Sequence, residues 1–299
     1  MDLPVALAAG DAVLRVAPTI GGAITEFTWR GLPVLRPTPQ DAVAAGEVRA
    51  CACYPLVPYS NRIRDAKLRF DGRTYALARN FGSHPHAIHG VGWQRAWDVA
   101  TQTSDSVQLV LRHDGAADSA AWPWSFEARH TLTLSTREDG APTLCATLSI
   151  ASLADAAFPF GLGWHPFFPK TEATRLRFDA RGVWRNDDTQ LPVALETLGA
   201  GTDFSVERSL RDVVLDNVFT GWTGHARLAQ RDMTVAVDAD SACGCLVVYA
   251  PEARDFVAVE PVSHETDAFN RAVDGAANTG MRALRPGASF SCTMRLTVK

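Results

Sequence analysis

The 299-residue chain lacks the features that mark several large classes of protein. No apolar run approaches the ~20 residues of a membrane-spanning helix, so we predict no membrane partner. No long run of like charges suggests a disordered tail, and a net charge of -4 argues against nucleic acid as a partner. Residues 1–7 include an early acidic residue and no basic segment, so we predict no signal peptide and a cytoplasmic location.

The chain also lacks the motifs of three common groups of enzymes. It contains no Gly-x-Ser-x-Gly elbow, no phosphate loop and no dinucleotide-binding fingerprint, which argues against a serine hydrolase, a kinase and a dehydrogenase. Its six cysteines include two Cys-x-Cys pairs and no Cys-x-x-Cys pair. Because their neighbours are apolar, we interpret the cysteines as buried, reduced thiols on strands.

Long helical periodicity is scarce, whereas short alternating patterns separated by turn signals recur from one end of the chain to the other. Residues 68–77 form the clearest hairpin, because Asp-Gly between alternating runs favours a turn with positive φ. Only residues 187–198 and 268–274 suggest short helical turns, and residues 33–47 suggest a loop. With no linker and no repeat, we predict one domain over residues 1–299, folded as an all-β sandwich or barrel.

A carboxylate ends one of the strand patterns. Glu260 follows the apolar run 256–259 and precedes Pro261. A buried charge is costly unless it is paired or used, which favours a general base at the end of a strand. Alternation along the strand could instead turn Glu260 outward as an ordinary surface side chain.

A single histidine lies in the apolar and aromatic run 160–168. Such a histidine is usually a core residue, and Pro166 after it keeps the segment extended. Burial would disfavour the imidazolium of His165, whereas a nearby carboxylate would favour it. His165 could therefore exchange a proton near neutral pH.

Two further positions combine a polar side chain with an apolar or loop context. Arg62, next to Asn61, could bind a sugar hydroxyl, a carboxylate or a phosphate through its fixed fork of donors, or form a surface ion pair. Asp216 could accept a hydrogen bond from a ligand hydroxyl or form an Asx turn.

Three histidines, His84, His86 and His89, stand close together in the sequence. A proline breaks their spacing and no cysteine or carboxylate completes a ligand set, so we predict no metal. The glycines after His89 would let the loop approach a ligand closely. Trp93 could stack on a sugar or fill the core, and the roles of His84, His86 and His264 stay open.

Five short motifs, taken in order, resemble the aldose 1-epimerase (galactose mutarotase) family over nearly the whole chain. They are Asn61-Arg62-Ile63, Ile88-His89-Gly90, His165-Pro166-Phe167-Phe168, Asp216-Asn217-Val218-Phe219 and Val259-Glu260-Pro261. The resemblance implies a large antiparallel β-sandwich, the galactose mutarotase-like supersandwich, with a substrate cleft across one sheet. The family's reaction interconverts the α and β anomers of a free sugar.

The resemblance also implies a role for each matching residue. Glu260 matches the general base that takes the proton of the C1 hydroxyl, and His165 matches the general acid that protonates the ring oxygen. His89 matches a histidine that hydrogen-bonds near the ring oxygen. Arg62 and Asp216 match residues that hold sugar hydroxyls, with Asn61 beside them. This chemistry requires no metal and no organic cofactor, and we expect a monomer or a homodimer.

Three alternatives remain open at this stage. A hexose-6-phosphate 1-epimerase would need further basic groups at the cleft, for which Arg64 and Arg95 are candidates. A carbohydrate-binding protein could keep the fold without catalysis. A glycoside hydrolase or lyase could use Glu260 and Asp216 as its pair of carboxylates.

Overall fold

The computed structural model of the protein describes residues 4–299. The prediction that no signal peptide is present rests in part on residues 1–3, which lie outside the described residues. The fold is nearly all β, with 47% of residues in strands and 7% in helices, and its sheets are antiparallel. The all-β prediction is therefore confirmed. Within residues 4–299, no helix is both long enough and apolar enough to span a membrane.

Among the described residues, the first half of the chain contains thirteen strands, of which the last two form a long hairpin. They are β1 (Val5–Ala9), β2 (Ala12–Ala17), β3 (Ala23–Trp29), β4 (Leu32–Pro33), β5 (Pro55–Leu56), β6 (Arg62–Ile63), β7 (Lys67–Phe70), β8 (Arg73–Ala76), β9 (Ala87–Ile88), β10 (Asp98–Gln102), β11 (Ser106–His113), β12 (Phe126–Thr136) and β13 (Pro142–Ser152). A short helix, α1 (Gln40–Ala45), separates β4 from β5.

The second half continues with mostly shorter strands. They are β14 (Phe158–Phe160), β15 (Gly163–Trp164), β16 (Phe167–Pro169), β17 (Arg175–Phe178), β18 (Gly182–Asn186), β19 (Pro192–Glu196), β20 (Arg208–Ser209), β21 (Leu215–Thr220), β22 (His225–Ala229), β23 (Thr234–Ala239), β24 (Cys245–Ala250), β25 (Phe256–Val262), β26 (Arg282–Leu284) and β27 (Ser289–Val298). Helix α2 (Ala268–Val273) follows β25, and 3-10 turns occur at Val48–Ala50, Arg64–Ala66 and Gly92–Gln94.

Two large sheets form the body of the fold. One has nine strands in the order β10-β11-β12-β13-β27-β23-β22-β17-β20. The other has eight, in the order β19-β18-β21-β24-β25-β15-β5, with β16 also paired to β25. Buried side chains from both sheets, such as Leu148 and Val248, belong to one apolar cluster. The sheets therefore pack as a sandwich with the main core between them.

Strand β25 separates this core from the outer face of the eight-stranded sheet. Val257 and Val259 join the core cluster, whereas Ala258 and Val262 belong to a second apolar cluster. Because successive side chains of a strand point to opposite faces, Glu260 shares the face of Ala258 and Val262. Glu260 thus points away from the core, as alternation allows, but only 2% of it is exposed.

Most of the local predictions hold, and the exceptions have physical causes. The hairpin at residues 68–77 is confirmed, with Asp71 and Gly72 at positive φ between β7 and β8. Residues 268–274 contain α2, as predicted. The helical prediction for residues 187–198 is wrong, because this segment supplies edge strand β19, and pairing with β18 outweighs a weak local preference. The predicted loop at 33–47 contains α1.

The cysteine prediction is correct in part. All six thiols are free, and five of them are buried. Cys51, Cys53 and Cys243, however, lie outside the strands, because apolar neighbours predict burial but do not by themselves predict pairing in a sheet.

Candidate active site

The sheet register brings His165 beside Glu260. Strand β15 pairs with β25 through Gly163 and Val262, and β16 pairs with the same strand through Phe167 and Ala258. Because both pairings are antiparallel and in the same register, His165 between them comes opposite Glu260. The His165 Nε2 atom lies 3.2 Å from Glu260 Oε1. Both side chains are buried and both line one cavity of about 260 Å³.

Burial controls the protonation of this pair. Burial, aided by the charge of Asp216 and opposed by that of Arg62, raises the pKa of Glu260 well above its ordinary value. Burial, together with His89 and Arg36, lowers the pKa of His165 well below its ordinary value. Both shifts disfavour the charged form of the group concerned. When the pair holds a single proton, that proton therefore resides on Glu260, which leaves a neutral carboxylic acid and a neutral imidazole. A proton can therefore move between the two side chains without leaving the cavity.

His89 faces the same cavity in a fixed orientation. The ring Nδ1 of His89 accepts a hydrogen bond of 3.0 Å from the backbone N–H of Asn61. The backbone N–H of His89 donates in turn to the Asn61 carbonyl at 2.9 Å. Burial, and then the charge of Arg62, lowers the pKa of His89 to about 3. Because Nδ1 is an acceptor in the neutral ring, the hydrogen is on Nε2, and His89 can donate it to a ligand.

The tight loop around His89 depends on Gly90. Both residues have positive φ, 59° and 68° respectively. A Cβ atom on Gly90 would lie 2.4 Å from the Val57 carbonyl oxygen, so only glycine fits this close approach of two chain segments. The sequence predicted that glycine would let this loop approach a ligand closely. In the structure Gly90 allows the loop to approach the backbone of Val57 instead.

Arg62 and Asp216 form an ion pair at one side of the cavity. The Arg62 Nη2 atom donates to Asp216 Oδ2 at 3.3 Å, and its Nη1 donates to Asn61 Oδ1 at 3.0 Å. Asp216 lies within strand β21, opposite Tyr249 of β24, so the Asx-turn interpretation is wrong. The alternative of a surface ion pair for Arg62 is correct in part, because Arg62 is paired with Asp216 but only 13% of its side chain is exposed.

Aromatic rings form the rest of the wall. Trp93 is 2% exposed and stacks on Tyr54 with ring centroids 5.9 Å apart. Trp93 belongs to the second apolar cluster and also lines the cavity. It therefore fills apolar space, as one interpretation predicted, and remains in a position to contact a ligand, as the other predicted. Tyr54 also packs on His165 at 4.9 Å, and the Phe167 ring stacks on His165 at 4.3 Å.

Several lining residues were missed in the sequence. They are Arg36, Arg49, Tyr54, Phe81, Ile88, Phe167, Val247, Tyr249 and Phe256. Phe167 lies inside a motif and could have been found from its position two residues after His165. Val247 and Tyr249 could have been found by alternation along β24. Arg36 comes from a loop distant in sequence, and no local pattern predicts that it reaches the cavity.

Arg64 and Arg95, the candidates for phosphate recognition, do not line the cavity. Arg64 pairs with Asp267 at 3.5 Å, and Arg95 pairs with Asp118. Both guanidinium groups are thus matched to carboxylates elsewhere.

Two other histidines form hydrogen bonds with the backbone near the cavity. His264 Nε2 accepts a hydrogen bond from the Ser60 N–H at 3.2 Å, and its Nδ1 bonds the Glu265 carbonyl at 2.7 Å. His86 Nδ1 accepts from the Asp65 N–H at 2.9 Å. These contacts connect the loop that carries Arg62 to the segments on both sides of it.

Comparison with known proteins identifies the group to which this architecture belongs. The model of one protein family, described as Aldose 1-epimerase, matches residues 5–297. The protein YphB of Escherichia coli K12, described as uncharacterized, is 31% identical over 289 residues, which is 93% of this chain and 93% of YphB. The maltose epimerase of Levilactobacillus brevis is 30% identical over 174 residues, which is 54% of this chain and 48% of that enzyme.

Solved structures agree with the sequence matches. An E. coli K12 structure described as a candidate aldose 1-epimerase superposes with a TM-score of 0.88 and 29% identity, covering 99% of this chain and 98% of the other. A galactose mutarotase-like protein of Clostridium acetobutylicum gives a TM-score of 0.86 at 19% identity, covering 99% and 95% of the two chains. The second likeness concerns the fold alone.

Proposed function

The chain belongs to the aldose 1-epimerase family, and from that premise we propose that it interconverts the α and β anomers of a free aldose by opening and reclosing the sugar ring. The observation that carries the proposal is the distance of 3.2 Å between His165 Nε2 and Glu260 Oε1, both of which line one cavity. The hydroxyl oxygen on C1 and the ring oxygen are bonded to the same carbon. A base and an acid that serve both oxygens at once must therefore be close neighbours.

The proposed reaction conserves protons. Glu260, as the carboxylate, takes the proton of the C1 hydroxyl, and the electrons of that O–H bond form the C1 carbonyl. The bond from C1 to the ring oxygen breaks, and the ring oxygen takes a proton from the His165 imidazolium. After rotation about the C1–C2 bond, attack on the other face of the carbonyl returns both protons. Each positioned acid or base of this kind typically contributes about 10²–10⁴-fold.

The pKa directions support this assignment. Ring opening leaves a neutral carboxylic acid and a neutral imidazole, which is the form that burial favours for both groups. The pair is thus matched to the open-chain aldehyde rather than to the closed ring. We propose that Glu260 passes its proton to His165 before ring opening, which generates the carboxylate and the imidazolium, and that ring opening then returns the pair to the form that burial favours.

The remaining polar groups suit a sugar. We propose that the Nε2–H of His89 donates near the ring oxygen, and that the pair of Arg62 and Asp216 holds hydroxyl groups. The cavity of about 260 Å³ lies near the lower end of the ~300–1,000 Å³ typical of ligand pockets, which supports a monosaccharide unit. We propose that no metal and no organic cofactor takes part, because the two proton-transfer groups complete the chemistry.

Exchange spectroscopy tests the proposal. Proton NMR with selective inversion of one anomeric signal measures the exchange rate for a panel of hexoses and pentoses, with and without protein. Acceleration proportional to protein concentration supports the epimerase. Sugar binding without acceleration would favour a carbohydrate-binding protein, and release of reducing ends from a glycoside would favour a hydrolase that uses Glu260 and Asp216.

A further inference from the structure

Arg36 brings a guanidinium group into the cavity from the loop after β4. Its Cζ atom lies 3.9 Å from the ring centroid of Phe167 and 4.6 Å from that of Phe256. Its Nη2 donates to the backbone carbonyls of Arg49 and Cys51, at 3.0 and 2.8 Å. Two aromatic rings and two carbonyl groups therefore hold the guanidinium in one position.

Arg36 differs from the other two arginines of the cavity in having no carboxylate partner. Arg62 pairs with Asp216, and Arg49 pairs with Glu47 at 2.9 Å. Among residues 4–299, no aspartate or glutamate forms an ion pair with Arg36. A half-buried cation without a partner is costly, so this wall of the cavity is suited to an anion.

Other charged groups act on Arg36 only from a distance. Burial lowers the pKa of Arg36, and the nearby groups of Tyr54, Cys51, Asp255 and Tyr249 oppose this shift more weakly. None of these four side chains forms an ion pair with Arg36, and Asp255, the one carboxylate among them, acts from beyond ion-pair range. The unmatched charge remains available to a ligand.

We propose that the cavity accepts an aldose with an anionic group, a carboxylate or a phosphate ester, on its exocyclic carbon, and that Arg36 binds this group. The inference rests on the proposed function, because His165 then marks the position of the ring oxygen. The exocyclic carbon of a hexopyranose is attached to the ring carbon next to that oxygen. Phe167 contacts both His165 and Arg36, so Arg36 lies next to the wall beside His165, where we place the exocyclic group.

A purely structural role for Arg36 makes a different prediction. If Arg36 only ties down the segment that contains Arg49 and Cys51, its replacement would impair neutral and anionic sugars equally. If it binds an anion, the loss would fall mainly on the anionic sugar. The ratio of kcat/KM for a charged and a neutral sugar therefore separates the two roles.

The experiment compares D-glucose, D-glucuronate and D-glucose 6-phosphate as substrates of the wild type, Arg36→Met and Arg36→Lys. Arg112→Gln, on the nine-stranded sheet and paired with Glu127, is the matched control. In the wild type we expect kcat/KM for at least one anionic sugar to exceed that for glucose by about tenfold or more, the scale of one charge-assisted hydrogen bond. The advantage should shrink as salt rises from about 0.01 M to about 1 M.

We expect Arg36→Met to bring the ratio close to one, Arg36→Lys to retain part of the preference, and Arg112→Gln to leave it unchanged. A preference for glucuronate alone identifies the carboxylate, and one for glucose 6-phosphate alone identifies the phosphate. Equal rates with charged and neutral sugars in the wild type, or an unchanged ratio in Arg36→Met, would overturn the inference.

Failure of the proposed function is distinguishable from failure of the inference. If the protein accelerates anomer exchange only in neutral sugars, the function stands and the anion site is rejected. If it accelerates exchange in no sugar, titration calorimetry with glucuronate, glucose 6-phosphate and glucose still decides the question. Binding of a charged sugar that is lost in Arg36→Met would support the anion site, and binding without preference for charge would reject it.

Discussion

His165 lies opposite Glu260 because two short strands, one on each side of the histidine, pair with β25 in the same register. The 3.2 Å contact between their side chains is therefore set by backbone hydrogen bonds of a sheet and not by a mobile loop. A site on paired strands holds its groups more precisely than a site on loops, which suits a reaction that needs acid and base together.

Replacement of Glu260 by glutamine should abolish most of the anomer exchange. The amide keeps the shape of the side chain but cannot take the proton of the C1 hydroxyl, so we expect a loss of kcat of at least ~10²-fold with sugar binding largely retained. NMR exchange rates and titration calorimetry measure the two quantities. Glu196→Gln, on exposed edge strand β19, is the control. An unchanged exchange rate in Glu260→Gln would remove this residue from the mechanism.

Replacement of His165 by asparagine should have a similar effect on turnover. The side chain then cannot deliver a proton to the ring oxygen, and we again expect a fall in kcat of at least ~10²-fold with a smaller change in KM. His225→Asn is a suitable control, because His225 is exposed on the nine-stranded sheet. Equal losses in the two variants would contradict a specific role for His165.

The pH profile of kcat/KM should be bell-shaped, because the pair of His165 and Glu260 must hold one proton. The pKa of His165 is lowered from 6.5, so the pair takes up a second proton, on His165, only below that pH. The raised pKa of Glu260 places the loss of the last proton above pH 4.5. Activity should therefore fall on the acid side as the imidazole gains a proton and on the alkaline side as the carboxyl loses one.

Asp216→Asn should move the alkaline limb of this profile to lower pH. Asp216 raises the pKa of Glu260, and Arg62, freed from its partner, lowers that pKa without opposition. Asp98→Asn, an exposed change on β10, should leave both limbs in place. Rate measurements across the pH range decide the matter, and a shift to higher pH would contradict the assignment.

Gly90→Ala should destabilise the fold more than a matched glycine change. A Cβ at this position would meet the Val57 carbonyl at 2.4 Å, whereas Gly31, also at positive φ, has open space around it. Because both changes carry the strain of positive φ, the difference reports the steric clash, and we expect the free energy of unfolding to fall by about 1–3 kcal/mol more in Gly90→Ala than in Gly31→Ala. Urea denaturation followed by circular dichroism measures both. Equal losses would show that φ alone governs the two positions.

The all-β class and much of the cavity could be predicted from the sequence. Alternation and turn signals predict most of the long strands, and the motifs around Arg62, His89, His165, Asp216 and Glu260 mark side chains that the fold brings into one cavity. Their roles, and the single domain over residues 1–299, stay predictions.

Other features required the tertiary structure. The contact between His165 and Glu260 depends on a register between distant strands, which no local pattern encodes. Arg36 was missed because nothing around it in sequence is unusual, and its importance comes from the absence of a carboxylate partner in space. The segment 187–198 was misassigned because an edge strand draws its stability from its neighbour.

The alternation of β25 has a consequence for engineering. Val257 and Val259 face the interior of the sandwich, while Glu260 and its neighbours on β21 and β24 face the cavity. A combinatorial library at Val247 and Tyr249, the lining positions of β24, would thus explore new sugar preferences while the side chains between the two sheets stay as they are. Thermostabilising substitutions could be selected separately on the opposite face of the same strands, and the two sets then combined in one variant with little interference.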